Sequence, residues 1–302
     1  MGLTLRALRY FVAVAETESV SAAARQLGIS QSAITEAIKT LELEAGGPLF
    51  ERHARGMSPT TEGHRFLRHA ERIMGAVTDA RRSFAEKPSA ETGTLDLGVT
   101  SMVSGYFLAD LLARHRRVFP QVEVRVHEDK RPYVEHLLVN GELDAALVLV
   151  SHLGNRQAFE WEILDRSPLT LWLPASHRLL ELETISLGDV AGEPLIALTT
   201  DELDETLQAT WRRRGFHANI VLRTSSVEAV RSLVATGAGI TILPDMAFRR
   251  WSLEGDRLEE REPVDELPTV DVGLVWRKGS VVNPRVPAFL ALARAHKGGR
   301  GR

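Results

Sequence analysis

The chain has 302 residues, 44% of them apolar and 25% charged, which is enough to bury two or three cores; its formal net charge is −3. It contains no cysteine, which excludes a disulfide framework, a thiol redox sensor and a cysteine-ligated metal. It also has no uninterrupted apolar run of about 18 residues, the length that would span a bilayer. The start, MGLTLRALRYF, lacks the apolar core of a signal peptide, and Arg6 stands where a myristoylation site wants Ser or Thr, so a multidomain cytoplasmic protein is expected.

In chain order, the spacing of Leu5, Leu8, Phe11, Val12 and Ala15 predicts a first amphipathic helix. Ser19 or Ser21 can cap a second, with Ala22, Ala23 and Leu27 inward, and Gly28 can supply the left-handed residue that ends it. After a turn of only Gly28 and Ile29, Ser30 can cap a third helix. Its stripe of Ala33, Ile34, Ala37, Ile38 and Leu41 leaves Gln31, Ser32, Thr35, Glu36, Lys39 and Thr40 facing out. Two short helices across a tight turn, the second presenting polar groups, are built to enter a DNA major groove; adaptor bundles share the pattern. Glu36 can accept from cytosine N4 or pair with Lys39 three residues along.

Residues 49–61, LFERHARGMSPTT, break the helical period and place Arg52, His53 and Arg55 close together, as a wing lying on phosphates would. Yet residues 1–92 hold 12 Lys and Arg against 11 Asp and Glu, so affinity for DNA cannot come from bulk charge. It must come from local placement of Lys39, Arg52, Arg55, Arg65 and Arg68, and from presenting two copies at once. Residues 60–87 offer the means: Leu67, Ala70, Met74, Val77 and Phe84 fall at heptad-like spacings along a helix of roughly 40 Å, with Arg81 interrupting the seam. The same helix can instead pack on the body of its own chain.

The remaining two-thirds changes period. Strand-like runs at 95–100, 122–128, 144–150, 169–174, 195–198, 220–226, 240–244 and 270–276 alternate with helical segments at 104–118, 131–141, 203–214, 227–237 and 284–296, which argues for parallel α/β sheets. There is no GxSxG elbow and no Walker loop, and Gly237-Ala238-Gly239 lacks the third glycine of a dinucleotide fingerprint. Ten histidines are scattered without ligand spacing. The reading therefore includes no catalytic residue, no cofactor and no metal.

Residues 5–70 resemble the winged helix-turn-helix of LysR-type transcriptional regulators. The resemblance rests on Leu8, Phe11, Ser19, Ala22, Ala23, Leu27, the Ser30-Gln31-Ser32-Ala33 entry, Ile38, Leu41-Glu42, Gly46, Leu49-Phe50, Arg52, Thr60 and Gly63. Thr35, Glu36 and Ala37 depart from the family's usual choices and alter the base-reading surface, and Gly46-Gly47-Pro48 departs at the entry to the wing. The resemblance implies a fold of α plus α/β class. A winged helix-turn-helix (1–59) is followed by a linker helix (60–88) that dimerises as an antiparallel coiled coil through Leu67, Ala70, Met74, Val77 and Phe84. A two-lobed, periplasmic-binding-protein-like effector domain (93–296) completes the chain, with lobe one at 93–160 and 269–296 and lobe two at 161–268.

In such a domain ligands sit beyond the carboxyl ends of the strands, where helix N-termini point N–H groups into the crevice. Thr100 and Ser101, Thr199 and Thr200, and Thr224 stand at three such strand ends, each able to serve as a helix cap or a ligand donor. His127, Lys130 and Arg131 can add charge at the mouth, although a solvated loop is the better reading of Lys130 and Arg131. The implied function is a ligand-responsive regulator that binds promoter DNA as a homodimer or homotetramer through Gln31, Ser32, Thr35, Glu36, Lys39, Arg52 and Arg55. A small, carboxylate-bearing metabolite would switch it. The alternative is a cytosolic α/β solute-binding protein or enzyme carrying a helical extension that does not bind DNA.

Overall fold

A computed structural model describes residues 3–53, 56–83 and 89–296; Arg55 and Phe84 lie outside these residues. The chain divides into an amino-terminal and a carboxy-terminal compact unit.

In the first unit, α1 (Leu5–Thr17), α2 (Val20–Leu27) and α3 (Gln31–Ala45) close around Leu8, Phe11, Ala23, Ile34, Ile38 and Leu41, all nearly or fully buried. Burying aliphatic and aromatic side chains of this size contributes roughly 1.5–3 kcal/mol each, the main force available to so small a unit. Each helix start is capped as its residues dictate. Thr4 accepts from Ala7 N–H, Ser19 from Ala22 N–H and Ser30 from Ala33 N–H. Gly28 ends α2 at φ 66°, a left-handed conformation that costs glycine nothing.

The wing is a hairpin of β1 (Phe50–His53) and β2 (Gly56–Pro59), paired antiparallel. Glu42 anchors it by accepting from the N–H groups of Leu49, at 2.9 Å, and Phe50, at 3.3 Å. Thr60 then starts α4 (Thr61–Ser83): its Oγ1 accepts from Gly63 N–H and donates to the Pro48 carbonyl, both at 2.9 Å. Gly63 is required there, because a Cβ would stand 2.0 Å from the Leu49 carbonyl oxygen.

The first turns of α4 pack on the three-helix core. Ala70 is fully buried, Leu67 and Met74 are half-buried against the same cluster, and Phe66 meets the Phe11 ring edge-on at 4.9 Å. Leu67, Ala70 and Met74, expected in the dimer seam, pack on the chain's own core, where the heptad stripe and the stripe facing α1 coincide. Ile73 and Ala76 are exposed and Val77 is half-buried.

The second unit has two lobes. Lobe one is a five-stranded sheet in the order β4-β3-β5-β12-β6, formed by β3 (Thr92–Val99), β4 (Gln121–Glu128), β5 (Ala145–Leu149), β6 (Phe159–Ser167) and β12 (Val270–Arg277). Lobe two holds β7 (Leu169–Pro174), β8 (Pro194–Leu198), β9 (Asn219–Thr224), β10 (Thr241–Pro244) and β11 (Leu258–Arg261). These form a β10-β7-β11 sheet and a β8-β9 pair, joined by a single bridge between Leu195 and Ile240.

The expected parallel pairing holds for β4-β3-β5, for β8-β9 and for the Leu195–Ile240 bridge. β12 runs antiparallel to β5 and β6, and β7 antiparallel to β10 and β11, because the chain crosses between lobes twice and each crossing reverses direction. β6 pairs with β12 through Ser167, so the first sheet runs past the expected lobe boundary at 160. Helical segments flank these strands: α5 over 101–118, interrupted by a π-turn at Ser104–Leu108; α6 (Arg131–Asn140); α7 (Leu187–Val190); α8 (Leu203–Arg213); α9 (Val227–Ala235); and α10 (Arg285–His296).

Candidate nucleic-acid interface and effector cleft

On α3, the buried residues Ile34, Ile38 and Leu41 fix which side is free. Gln31, Ser32, Glu36 and Lys39 are exposed, and Thr35 is half-exposed. Thr35 donates its hydroxyl proton to the Gln31 carbonyl at 2.9 Å, which leaves its oxygen to present as an acceptor. Ser32 Oγ lies 3.0 Å from the capping Ser30 Oγ. Among the described residues no ion pair joins Glu36 to Lys39, so the intrahelical alternative for Glu36 is not formed. Arg52 is exposed on β1, opposite Met57. Of the other expected cations, Arg65 is paired with Glu62 at 2.5 Å and Arg68 donates to the His64 carbonyl.

A flat polar helix face beside an arginine-bearing hairpin has the chemistry to enter a major groove and grip its backbone. The model for the "bacterial regulatory helix-turn-helix protein, lysR family" matches residues 5–64, and that for the "LysR substrate binding domain" matches residues 88–298. The chain belongs to the LysR family of transcriptional regulators. It is 31% identical over 301 residues to the uncharacterized HTH-type transcriptional regulator YnfL of Escherichia coli, covering 96% of this chain and 97% of that one. It is 27% identical to the DNA-binding transcriptional dual regulator OxyR of the same organism, covering 98% and 97%. Among solved structures, a LysR-family regulator from Pseudomonas aeruginosa aligns over 98% of this chain and 99% of its own with a TM-score of 0.65 and 26% identity. This LysR-family chain is thus a regulator and not an enzyme, and without cysteine it cannot signal through a thiol.

In the effector domain of this LysR-type chain, the strand-end residues divide into two groups. Thr199, Thr200 and Thr224 stitch β8 to β9. Thr199 donates through N–H and Oγ1 to the Thr224 carbonyl, Thr200 Oγ1 donates to the Ser225 carbonyl at 2.6 Å, and Thr224 Oγ1 accepts from Ser226 N–H. Their hydroxyls are used within lobe two, a role that the strand-end pattern alone does not distinguish from a ligand donor. Ser101 donates to Glu128 at 2.9 Å. Thr100 is 1% exposed and does not cap its helix; its Oγ1 is turned toward the Asp201 carboxyl without completing a hydrogen bond of good geometry.

Of the residues that join the lobes, only Arg131 was singled out from the sequence. Asp201 Oδ2 accepts from the backbone N–H of Met102, at the start of α5, at 2.9 Å. Its neighbour Glu202 accepts from Arg131 Nη2 at 3.1 Å and Nε at 3.3 Å, while Arg131 Nη1 donates to Glu135 at 2.5 Å. Arg131, expected to be solvated, begins α6 at the start of the expected 131–141 helix, and its side chain is only 15% exposed because two carboxylates enclose it. The signal available was Glu135 four residues on, a spacing that pairs charges along one helix face.

Asp201 (φ 55°) and Glu202 (φ 57°) are consecutive non-glycine residues in the left-handed region, at about 1–2 kcal/mol each. Burial raises the Asp201 carboxyl above the ordinary carboxylate range, and the Met102 N–H and Thr100 oppose that rise. His152, in the short turn after β5, has its Nε2 2.7 Å from the Thr206 hydroxyl, and burial lowers its affinity for a proton. A second link crosses at the π-turn. Tyr106 donates to Glu228 at 3.0 Å, and Glu228 is held by the buried Arg231, which lies over the Trp172 ring and donates to the Ala247 and Arg249 carbonyls.

Proposed function

We propose that this regulator binds promoter DNA as a dimer or tetramer and is switched by a small carboxylate-bearing metabolite held between the lobes of its effector domain. Gln31, Ser32, Thr35, Glu36 and Lys39 read base edges, and Arg52 and Arg55 hold phosphates. Residues 1–59 act as the DNA-binding head, 60–88 as the dimerising linker and 93–296 as the effector domain, with Thr100 and Ser101 at the effector site. Because the target is chromosomal DNA, the cytoplasm is its place of action; no helix among the described residues is long and apolar enough to cross a membrane.

The observation that carries the effector reading is the Asp201 carboxylate on the Met102 N–H: the chain places an anionic oxygen where a helix start favours one. For the DNA reading it is the exposed polar face of α3 in the same unit as the exposed Arg52. Phosphate contacts carry no direct sequence information, so Arg52→Ala should weaken every DNA site alike and lower the slope of log affinity against log salt by about 0.9. An unchanged slope with altered sequence preference would overturn the wing assignment.

A further inference from the structure

Asp201 and Glu202 sit on one strap of lobe two, and both reach into lobe one: Asp201 to the start of α5, Glu202 to Arg131. The groups they occupy are those an anionic ligand would use, namely a backbone N–H at a helix start and a fork of guanidinium donors. The strap achieves this from two successive left-handed backbones, a conformation that persists only where surrounding contacts enforce it. The Thr100 hydroxyl, buried beside the Asp201 carboxyl, makes no hydrogen bond of good geometry and stands at the same spot as a donor for a better-placed anion. Ser101 is committed to Glu128, so it does not compete for that position.

We infer that Asp201 and Glu202 form a built-in surrogate ligand, and that an effector carboxylate acts by displacing them from Met102 and Arg131. The inference rests on the reading of the cleft as a carboxylate site. In the latched state the strap ties the lobes together. An incoming carboxylate takes the Met102 N–H and the Thr100 hydroxyl, and a second anionic group on the same ligand takes Arg131. The strap then relaxes out of its left-handed conformation, and the lobes are connected through the ligand instead. An effector with two acidic groups matches the two contacts that must be replaced; a simple monoacid replaces only one. Because the effector binds only the unlatched chain, its apparent affinity is reduced by the fraction of chains that are unlatched.

The test uses the full-length protein with sodium acetate as the probe, read as the shift in unfolding temperature against sodium chloride at equal ionic strength. Asp201→Gly removes the internal carboxylate, and glycine adopts φ 55° without strain. Acetate should raise the unfolding temperature of Asp201→Gly saturably and act on the wild type at least about tenfold more weakly, as expected for a site latched nine-tenths of the time or more. Equal effects on the two proteins would overturn the latch while leaving a carboxylate site in the cleft. No acetate-specific effect on either would overturn both the latch and the carboxylate reading. If the glycine chain fails to fold, Asp201→Ala also removes the acceptor, at about 1–2 kcal/mol for the left-handed backbone; the same titration on the alanine chain should show the same tenfold contrast with the wild type, and equal effects would again overturn the latch.

Discussion

Glu36 stands on the open face of α3 with no ion pair to Lys39, so its carboxylate is free to accept from cytosine N4 in a major groove. Glu36→Ala should therefore relax base preference at one position of the bound sequence by about 1–3 kcal/mol. A profile of selected sequences that is unchanged at every base pair would remove the readout role. His115 gives a prediction of a different kind. It is 1% exposed between Phe119 and Phe289, its Nδ1 lacks a hydrogen-bond partner, and burial lowers its pKa from the ordinary 6.5. Below pH 6.5 the unfolded chain takes up the proton before the folded one does, so stability falls as pH drops through that value and levels off below the folded pKa. Replacing His115 by Phe should flatten this part of the stability curve; an undiminished acid loss would place its cause elsewhere. At this scale the sequence was legible for caps and exposed faces and opaque for Arg131 and Asp201. Arg131 has one partner four residues away and another 71 residues away, and Asp201 reaches one 99 residues away; only the distant contacts join the lobes.

Among the elements, α1 to α3 and the wing could be read because each is bounded by residues with a local reason to be there: Thr4, Ser19, Ser30, Gly28, Gly46 and Thr60. The strands of the effector domain were found by their apolar runs, whereas β6 and β11 were not. β6 is an edge strand whose Glu160, Glu162 and Asp165 hide the alternation, and β11 is only four residues long. Strand direction was beyond reach of a local pattern, since it depends on where the chain crosses between lobes. The linker helix shows the same limit: spacing defines a stripe but not its occupant, and the structure gives Leu67, Ala70 and Met74 to the chain's own core. A second chain is thus expected on the neighbouring stripe, around Ile73, Ala76 and Val77. Ile73→Glu with Val77→Glu should shift sedimentation from dimer toward monomer and leave the unfolding of the effector domain unchanged. A dimer of undiminished stability in that variant would move the interface off this helix.

For the whole molecule, near-neutral charge over residues 1–92 makes the account depend on two heads acting together. One head with few phosphate contacts binds weakly at physiological salt, and a second copy converts the next contact into an intramolecular one. The effector domain then matters for DNA only to the extent that its ligand prefers one arrangement of the chain over another. The most direct test of this account is selection of wild-type binding sequences from random duplex DNA, followed by equilibrium titration of the winner against an unrelated duplex at physiological salt. The account predicts an inverted pair of half-sites bound about 10³-fold or more tighter than the unrelated duplex. Recovery of no common sequence, or equal affinity for both duplexes, would contradict it.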